Sequence, residues 1–414
     1  MLHTSAFRAS HLEQAYTSAL LLVLVMCSPS LGQSTTDGCE RSRTGSAAEA
    51  NSQATCGSPQ DPGCAQSDKL PASEQKNNKS RGDFVIAPLP ISSPALGSGV
   101  IPVGAYIFQL SRNDEISPPS VVGAAGLITD NGSRAFAVAG QLFVRRDTVR
   151  VTSVFFQGNL NYTFYGIGAA AGNVKVPLPL KQDGSVFLGE ILRRIKWNFF
   201  VGPRVLTGHS TITLRSSGSS TAAIPPDIEL DTKLTSLGFS IKRDTRPSRF
   251  YPESGAVLEV TSDFFANGFG SKYSFQSYRV TFNKYSSLSK RQVLAYNAFF
   301  CATGGQPPFY GNCIYGTSNE LRGYEAGRYL DRYMIATQLE YRLVLPKRFG
   351  LVIFGGVGGV AQGGTQSFRS TNFLPAGGSG LRFNLSKAHH INLRADLAAG
   401  KNEHTFSMGV SEAF

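Results

Sequence analysis

From residue 83 to the end, apolar and polar residues alternate with period two, in segments of about ten residues broken by Gly, Pro, Asn and Ser. In one stretch Tyr333, Ile335, Leu339, Tyr341, Leu343 and Leu345 share a face, with Thr337 the one polar member, against Gln338, Glu340 and Arg342. In a second, Ile391, Leu393, Ala395, Leu397 and Ala399 oppose Asn392, Arg394 and Asp396. The last segment sets Phe406, Met408, Val410 and Phe414 against Thr405, Ser407 and Ser411, and Glu412 falls in the apolar register, where a membrane-edge position makes it cheap. Strands apolar on one side and polar on the other fit a sheet between lipid and a polar interior. Sixteen such segments span residues 83–414, or about 21 residues per strand plus loop. That even number suits an all-β, antiparallel transmembrane β-barrel.

Loop lengths bear on this separately. With the N-terminus in the periplasm, the long connections at 159–185, 216–228 and 303–331 all fall on the outer side. Tight joints such as Pro346-Lys347-Arg348 and Ser386-Lys387-Ala388 fall on the other. Membrane barrels sort their loops this way, and a soluble β-sandwich has no reason to.

The N-terminal part reads differently. Its uninterrupted apolar run, residues 19–27, is far short of the roughly 20 residues a spanning helix needs. Arg8 precedes it and the small or turn-forming residues Ser28 to Gly32 follow, the layout of a secretory signal (1–32) cleaved before Gln33. A lipoprotein reading at Cys27 is weaker, because the bulky Met26 stands where a small residue is expected. Residues 33–82 hold few large apolar side chains, too few to offset ordering entropy, and read as a disordered linker.

The net charge of +12 raises nucleic acid as a partner. The basic pairs Arg145-Arg146, Arg193-Arg194, Lys290-Arg291 and Lys347-Arg348 instead fall in short turns, as for a rim facing anionic head groups. No zinc-finger spacing, RNA-binding aromatic signature or basic helix accompanies them, so no nucleic-acid partner is expected. Nor is an enzyme: Gly377-Gly378-Ser379-Gly380 runs into Leu381 rather than completing a nucleophile elbow. His209, His389, His390 and His404 have no spacing for a metal site or a nucleophile's base. No catalytic residue, metal or cofactor is expected.

Four stretches carry a resemblance. They are Leu321-Arg322-Gly323-Tyr324; Arg243-Asp244-Thr245-Arg246 with Tyr251-Pro252-Glu253-Ser254-Gly255; Gly378-Ser379-Gly380-Leu381-Arg382-Phe383 leading to Arg394-Ala395-Asp396; and the terminal Phe414. In this order across residues 83–414 they resemble the BamA/TamA family of outer-membrane assembly proteins, the bacterial surface-antigen barrels. The resemblance implies an inward-folded loop whose Arg322 pairs in the lumen with Glu340 and Asp396. It also implies close backbone approach at Gly323, stacking of Tyr324 on the barrel wall, and an outer-membrane sorting signal at Phe414. The implied setting is the bacterial outer membrane with its lipids and lipopolysaccharide, and unfolded outer-membrane or secreted proteins as clients. Members usually carry POTRA modules before the barrel, and residues 33–80 leave no room for one, so the resemblance is to a short form.

Cys301 and Cys313 bracket the start of the same loop and are expected to pair in an oxidising compartment. Cys39, Cys56 and Cys64 are an odd number in the linker, which leaves a partial disulfide or intermolecular pairing open. The function expected from the resemblance is assistance to insertion or translocation of proteins or lipids, through a weakly closed seam between first and last strands and a loop plug. The alternative is a channel or structural barrel that handles no client.

Overall fold

The computed structural model describes residues 82–414 apart from 94–95, 112–113, 115, 171–177, 216–228, 317–318, 365–366, 370–372 and 387–389. The expected signal peptide, the linker up to Arg81, and Cys39, Cys56 and Cys64 lie outside these residues.

The chain opens with β1 (Gly82–Ser93), β2 (Gly97–Phe108), β3 (Ser120–Thr129), β4 (Arg134–Val144), β5 (Val149–Phe164) and β6 (Leu178–Arg194). There follow β7 (Phe199–Leu214), β8 (Glu229–Asp244), β9 (Gly255–Phe265), β10 (Phe275–Ser289) and β11 (Gln292–Gly305). After two short strands, β12 (Cys313–Ile314) and β13 (Leu330–Asp331), come β14 (Tyr333–Val344), β15 (Phe349–Ala361), β16 (Phe373–Ser386), β17 (Ile391–Gly400) and β18 (Glu403–Val410). All but β12 and β13 form one 16-stranded antiparallel sheet in sequence order. The sheet curls until β1 lies beside β18, giving the expected transmembrane barrel. β12 and β13 pair with each other inside the connection between β11 and β14.

Burial follows the period-two pattern, and around β14–β17 the polarity of a soluble protein is reversed, while the inner faces of β3–β10 carry an apolar cluster that includes Phe156, Leu160 and Phe275. Ile353, Leu381 and Leu397 point outward at 56–64% exposure, while Glu340, Arg342, Arg382 and Asp396 are almost wholly buried inside. Apolar side chains facing out need lipid to cover them, and buried charges need partners inside.

One connection is shorter than the sequence reading set it. β5 and β6 pair out to Phe164 and Leu178, so the loop is 165–177 rather than 159–185. The outward positions there are polar: Asn159 donates to Asp183 at 2.5 Å across the pair, and Lys181 lies 3.2 Å from Asp183. The ladder therefore continues beyond the apolar belt as a water-facing hairpin.

Candidate functional site

The connection from β11 to β14 folds into the barrel. A disulfide between Cys301 of β11 and Cys313 of β12 fixes its base, with Cα atoms 5.8 Å apart. Its core is a cluster of Tyr315, Tyr324 and Tyr329, with ring centroids 5.3–6.3 Å apart. The Tyr315 hydroxyl donates to the Leu374 carbonyl and the Tyr324 hydroxyl to that of Pro375, both at 2.6 Å, which docks the loop on β16. Gly323 has φ +115°, and a Cβ there would stand 2.8 Å from that of Ala376. Only glycine fits so close an approach in the left-handed region.

The apex so held delivers Arg322 to the inner wall. Its Nη1 donates to Asp396 at 2.8 Å, its Nε to Gln338 at 3.1 Å and its Nη2 to Glu340. The guanidinium also lies 3.5 Å from the centroid of the Phe354 ring. The structure thus brings Arg322, Glu340 and Asp396 together, and it adds partners that the sequence does not assign to this site. Arg342 donates to Glu340 at 2.6 Å, and Arg382 donates to Asp396 at 2.6 Å and to Glu412 at 2.7 Å. Arg394 stands 3.8 Å from Asp396. Every carboxylate in the group is shared between arginines, the arrangement that makes buried charge tolerable.

The chain's last residues depart from expectation. The period-two alternation puts Phe414 and Glu412 on the lipid face as a continuation of the last strand. Instead β18 ends at Val410, Ser411 takes φ +74°, and residues 411–414 turn inward. The Ser411 hydroxyl donates to the Phe250 carbonyl at 2.9 Å, and Asn392 donates to Glu412 at 2.8 Å. Arg342 donates to the Phe414 carbonyl at 3.0 Å, and the Phe414 ring packs with Tyr285, Ala295 and Ala413. The reason is electrostatic: Arg342 and Arg382 already stand inside, and Glu412 is stabilised there more than at a lipid edge.

The β8–β9 connection closes the lumen from the short-turn end. Arg246 grips Asp244 through two bonds of 2.9–3.0 Å, and Arg249 lies 3.4 Å from the same carboxylate. Burial, with Arg150 alongside, lowers the Arg249 pKa to about 9. Phe250 packs against Ile107, Val121 and Ile391. Between this turn and the Arg322 loop remains a cavity of about 170 Å³ lined by residues including Arg204, Arg279, Asn297 and Glu320.

The seam is the other feature. Among the described residues no ladder joins β1 to β18. Pro88 stands opposite Pro102 in the β1–β2 ladder. Two prolines cannot exchange N–H···O bonds, so this is a non-hydrogen-bonded pair and the backbone of Pro88 is directed to the other side, toward β18. Pro90, two residues on, has the same direction. The β1 edge therefore offers no donor at either position.

The Omp85 superfamily domain matches residues 143–414. Among solved structures, BamA from Haemophilus ducreyi lacking POTRA domains 1-3 is 13% identical, with 80% of this chain and 70% of that one covered and a TM-score of 0.50. CdiB from Acinetobacter baumannii is 13% identical over 80% of this chain and 60% of that one, TM-score 0.53. CdiB from Escherichia coli is 10% identical over 80% and 62%, TM-score 0.54. At these identities the likeness is one of fold, and the chain spans about three fifths of each CdiB chain. No curated protein matches. The superfamily domain takes in most of the chain, including the Arg322 loop, the carboxylates it meets and both strands that follow the Gly378 stretch: the chain belongs to the Omp85 superfamily.

Proposed function

We propose that this protein is a non-enzymatic barrel of the bacterial outer membrane that assists insertion or translocation of proteins or lipids. The single observation that carries the reading is the seam: among the described residues β1 and β18 lie side by side without a ladder, and β1 presents Pro88 and Pro90 to its neighbour. An edge short of donors closes weakly, and a weakly closed edge is where a client strand can add or a lipid can pass. The long-loop end faces outward and the short turns face the periplasm. Arg322, Gly323 and Tyr324 hold the plug, Glu340 and Asp396 receive it, and the Cys301–Cys313 bridge keeps its base in place. Phe414 serves as the sorting residue before folding and as part of the luminal packing afterwards. The clients are unfolded outer-membrane or secreted proteins, handled among outer-membrane lipids and lipopolysaccharide.

A steady channel is the competing reading. A lumen filled from one end by the loop and from the other by the β8–β9 connection and residues 411–414 argues against it. The test is the envelope of a strain lacking the protein. Broad loss of outer-membrane proteins or disturbed lipid distribution is expected. An unchanged envelope with loss of one small-solute uptake assigns a channel and overturns the proposal.

A further inference from the structure

The short-turn end carries a surface that neither the lumen nor the seam uses. Between β6 and β7 the chain turns over three residues, closed by the Ile195 N–H donating to the Phe199 carbonyl at 2.7 Å, with left-handed φ at Trp197 (+57°) and Asn198 (+59°). Trp197 at its tip is 81% exposed. The neighbouring β4–β5 turn is bound to this one by the Arg194 N–H donating to the Thr148 carbonyl at 2.7 Å. On the far side, Arg243 of β8 donates to the Trp197 carbonyl at 3.3 Å.

Five exposed cations lie on this turn and its two neighbours: Arg193 and Lys196 beside Trp197, Arg145 and Arg146 on the β4–β5 turn, and Arg243 at the end of β8. None of these side chains makes an ion pair among the described residues. The nearby carboxylates are engaged elsewhere: Asp147 by Arg150 at 2.8 Å and Arg194 at 2.5 Å, and Asp114 by the Ser117 hydroxyl at 2.7 Å. The position of this band tells what it meets. Along the outer face of β6 run Phe187, Ile191, then Arg193 and Ile195; along β8 run Leu237, Phe239, then Arg243. On both strands an arginine stands near the end of the lipid-facing belt, with Ile195 alone following it on β6, at the depth where head groups begin, and an exposed indole sits just beyond. Trp belongs at that depth because its ring is apolar and its N–H is polar.

We propose that this band is a binding surface for anionic glycerophospholipid in the leaflet at the short-turn end, with Arg193, Lys196 and Arg243 gripping the phosphate and glycerol head group beside Trp197. The unpaired charge supplies the complementarity, and continuity with the apolar belt lets the same lipid's acyl chains lie on Ile191 and Phe239. A soluble acidic protein would reach the cations but not that belt. The surface lies away from the luminal plug and goes beyond the client-handling reading.

Trp197 is the sole tryptophan in the sequence, so its fluorescence reports this site alone. The full chain is reconstituted in phosphatidylcholine vesicles holding an equal fraction of brominated phosphatidylglycerol or brominated phosphatidylcholine. One basic side chain at a membrane surface is worth about fivefold in affinity for an anionic lipid. Quenching by the phosphatidylglycerol is therefore expected to correspond to at least about fivefold local enrichment. It should fall to the phosphatidylcholine level in an Arg193→Gln, Lys196→Gln, Arg243→Gln variant. In the unaltered protein the excess should shrink in about 1 M salt, where screening acts over about 3 Å. Equal quenching by the two lipids overturns the proposal, as does an excess that survives both the substitutions and the salt. No client enters the measurement, so either outcome leaves the seam reading standing or falling by its own test.

Discussion

Glu412 accepts a hydrogen bond of 2.7 Å from the Nε of Arg382, whose Nη1 donates at 2.6 Å to Asp396, the carboxylate that also receives Arg322. Residues from the loop, from β16 and β17, and from the inward-turned end of the chain thus share one set of charges. Disturbing one member leaves its partners buried with unbalanced charge, which costs more than the bond itself.

Glu412→Ala should loosen residues 411–414 in the lumen. Bonds to charged groups are worth about 1.5–3 kcal/mol, and with the Arg382 and Asn392 bonds to Glu412 gone the turn keeps the Ser411–Phe250 bond, the Arg342 bond to the Phe414 carbonyl and the packing of the Phe414 ring. Limited proteolysis from the short-turn side should trim the variant faster than the parent. Equal resistance would show that the segment is held by packing around Tyr285 and not by charge.

Arg322→Ala should loosen the plug while the barrel still assembles. Breaking a buried pair costs about 3–5 kcal/mol, and water entering the lumen reduces that figure. Raised conductance in planar bilayers and a lower temperature for the heat-induced gel shift are the expected readouts. Arg322→Lys should recover only part, because an ammonium cannot reach Glu340, Asp396 and Gln338 together as the planar fork does.

Reduction of Cys301–Cys313, or the paired serine substitution, should remove about 3 kcal/mol of loop-closure stabilisation. The loss should appear first as faster hydrogen exchange across residues 306–332, since the bridge ties the base of that loop to β11. Unaltered exchange there would mean that the tyrosine cluster suffices.

Loop docking should also depend on pH. Burial pushes the Glu325 carboxyl up from 4.5 to about 7, with Glu403 nearby adding to the rise while the Tyr165 hydroxyl and Arg328 oppose it. A raised carboxyl means that the folded loop holds its proton where the unfolded chain has lost it, so stability is fullest below about 4.5 and is lost as pH climbs toward about 7. Exchange of the loop should speed up across that window, and Glu325→Gln should make the profile shallower, with the rest of the dependence coming from Glu320 of the same loop, which burial also raises to about 7.

Much of the barrel was readable because period two is a strict rule. Glu340 lies between the outward Leu339 and Tyr341, and Asp396 between Ala395 and Leu397, so their inward aim follows from the alternation alone. Arg342 and Arg382 occupy the same register, but a basic residue near a strand end reads equally well as a rim charge, and only the folded arrangement shows them sharing Glu340, Asp396 and Glu412. The turn at Ser411 was hidden for another reason. Nothing in Gly409-Val410-Ser411-Glu412 announces a left-handed residue, and the force that bends the chain comes from arginines 30 and more positions earlier. The outer hairpin of β5 and β6 looks like loop in the sequence because its outward residues are polar, which marks the end of the lipid and not the end of the strand.

Pro88→Ala with Pro90→Ala should strengthen the seam. Each restored N–H adds a donor facing β18, with a net worth of about 0.5–1.5 kcal/mol. The double variant should need a higher temperature to unfold on gels and should rescue a deletion strain less well than the parent. Full rescue with raised stability would show that seam opening does not limit function.

Those two prolines also govern what a foreign strand would experience at β1. At Pro88 and Pro90 it would be held by accepting carbonyls alone, so its grip would be incomplete wherever it came from. A second copy of this chain gains too little there to nucleate sheet growth between molecules, the usual hazard of an open edge. An arriving strand is engaged and then let go readily, so the edge favours turnover over capture.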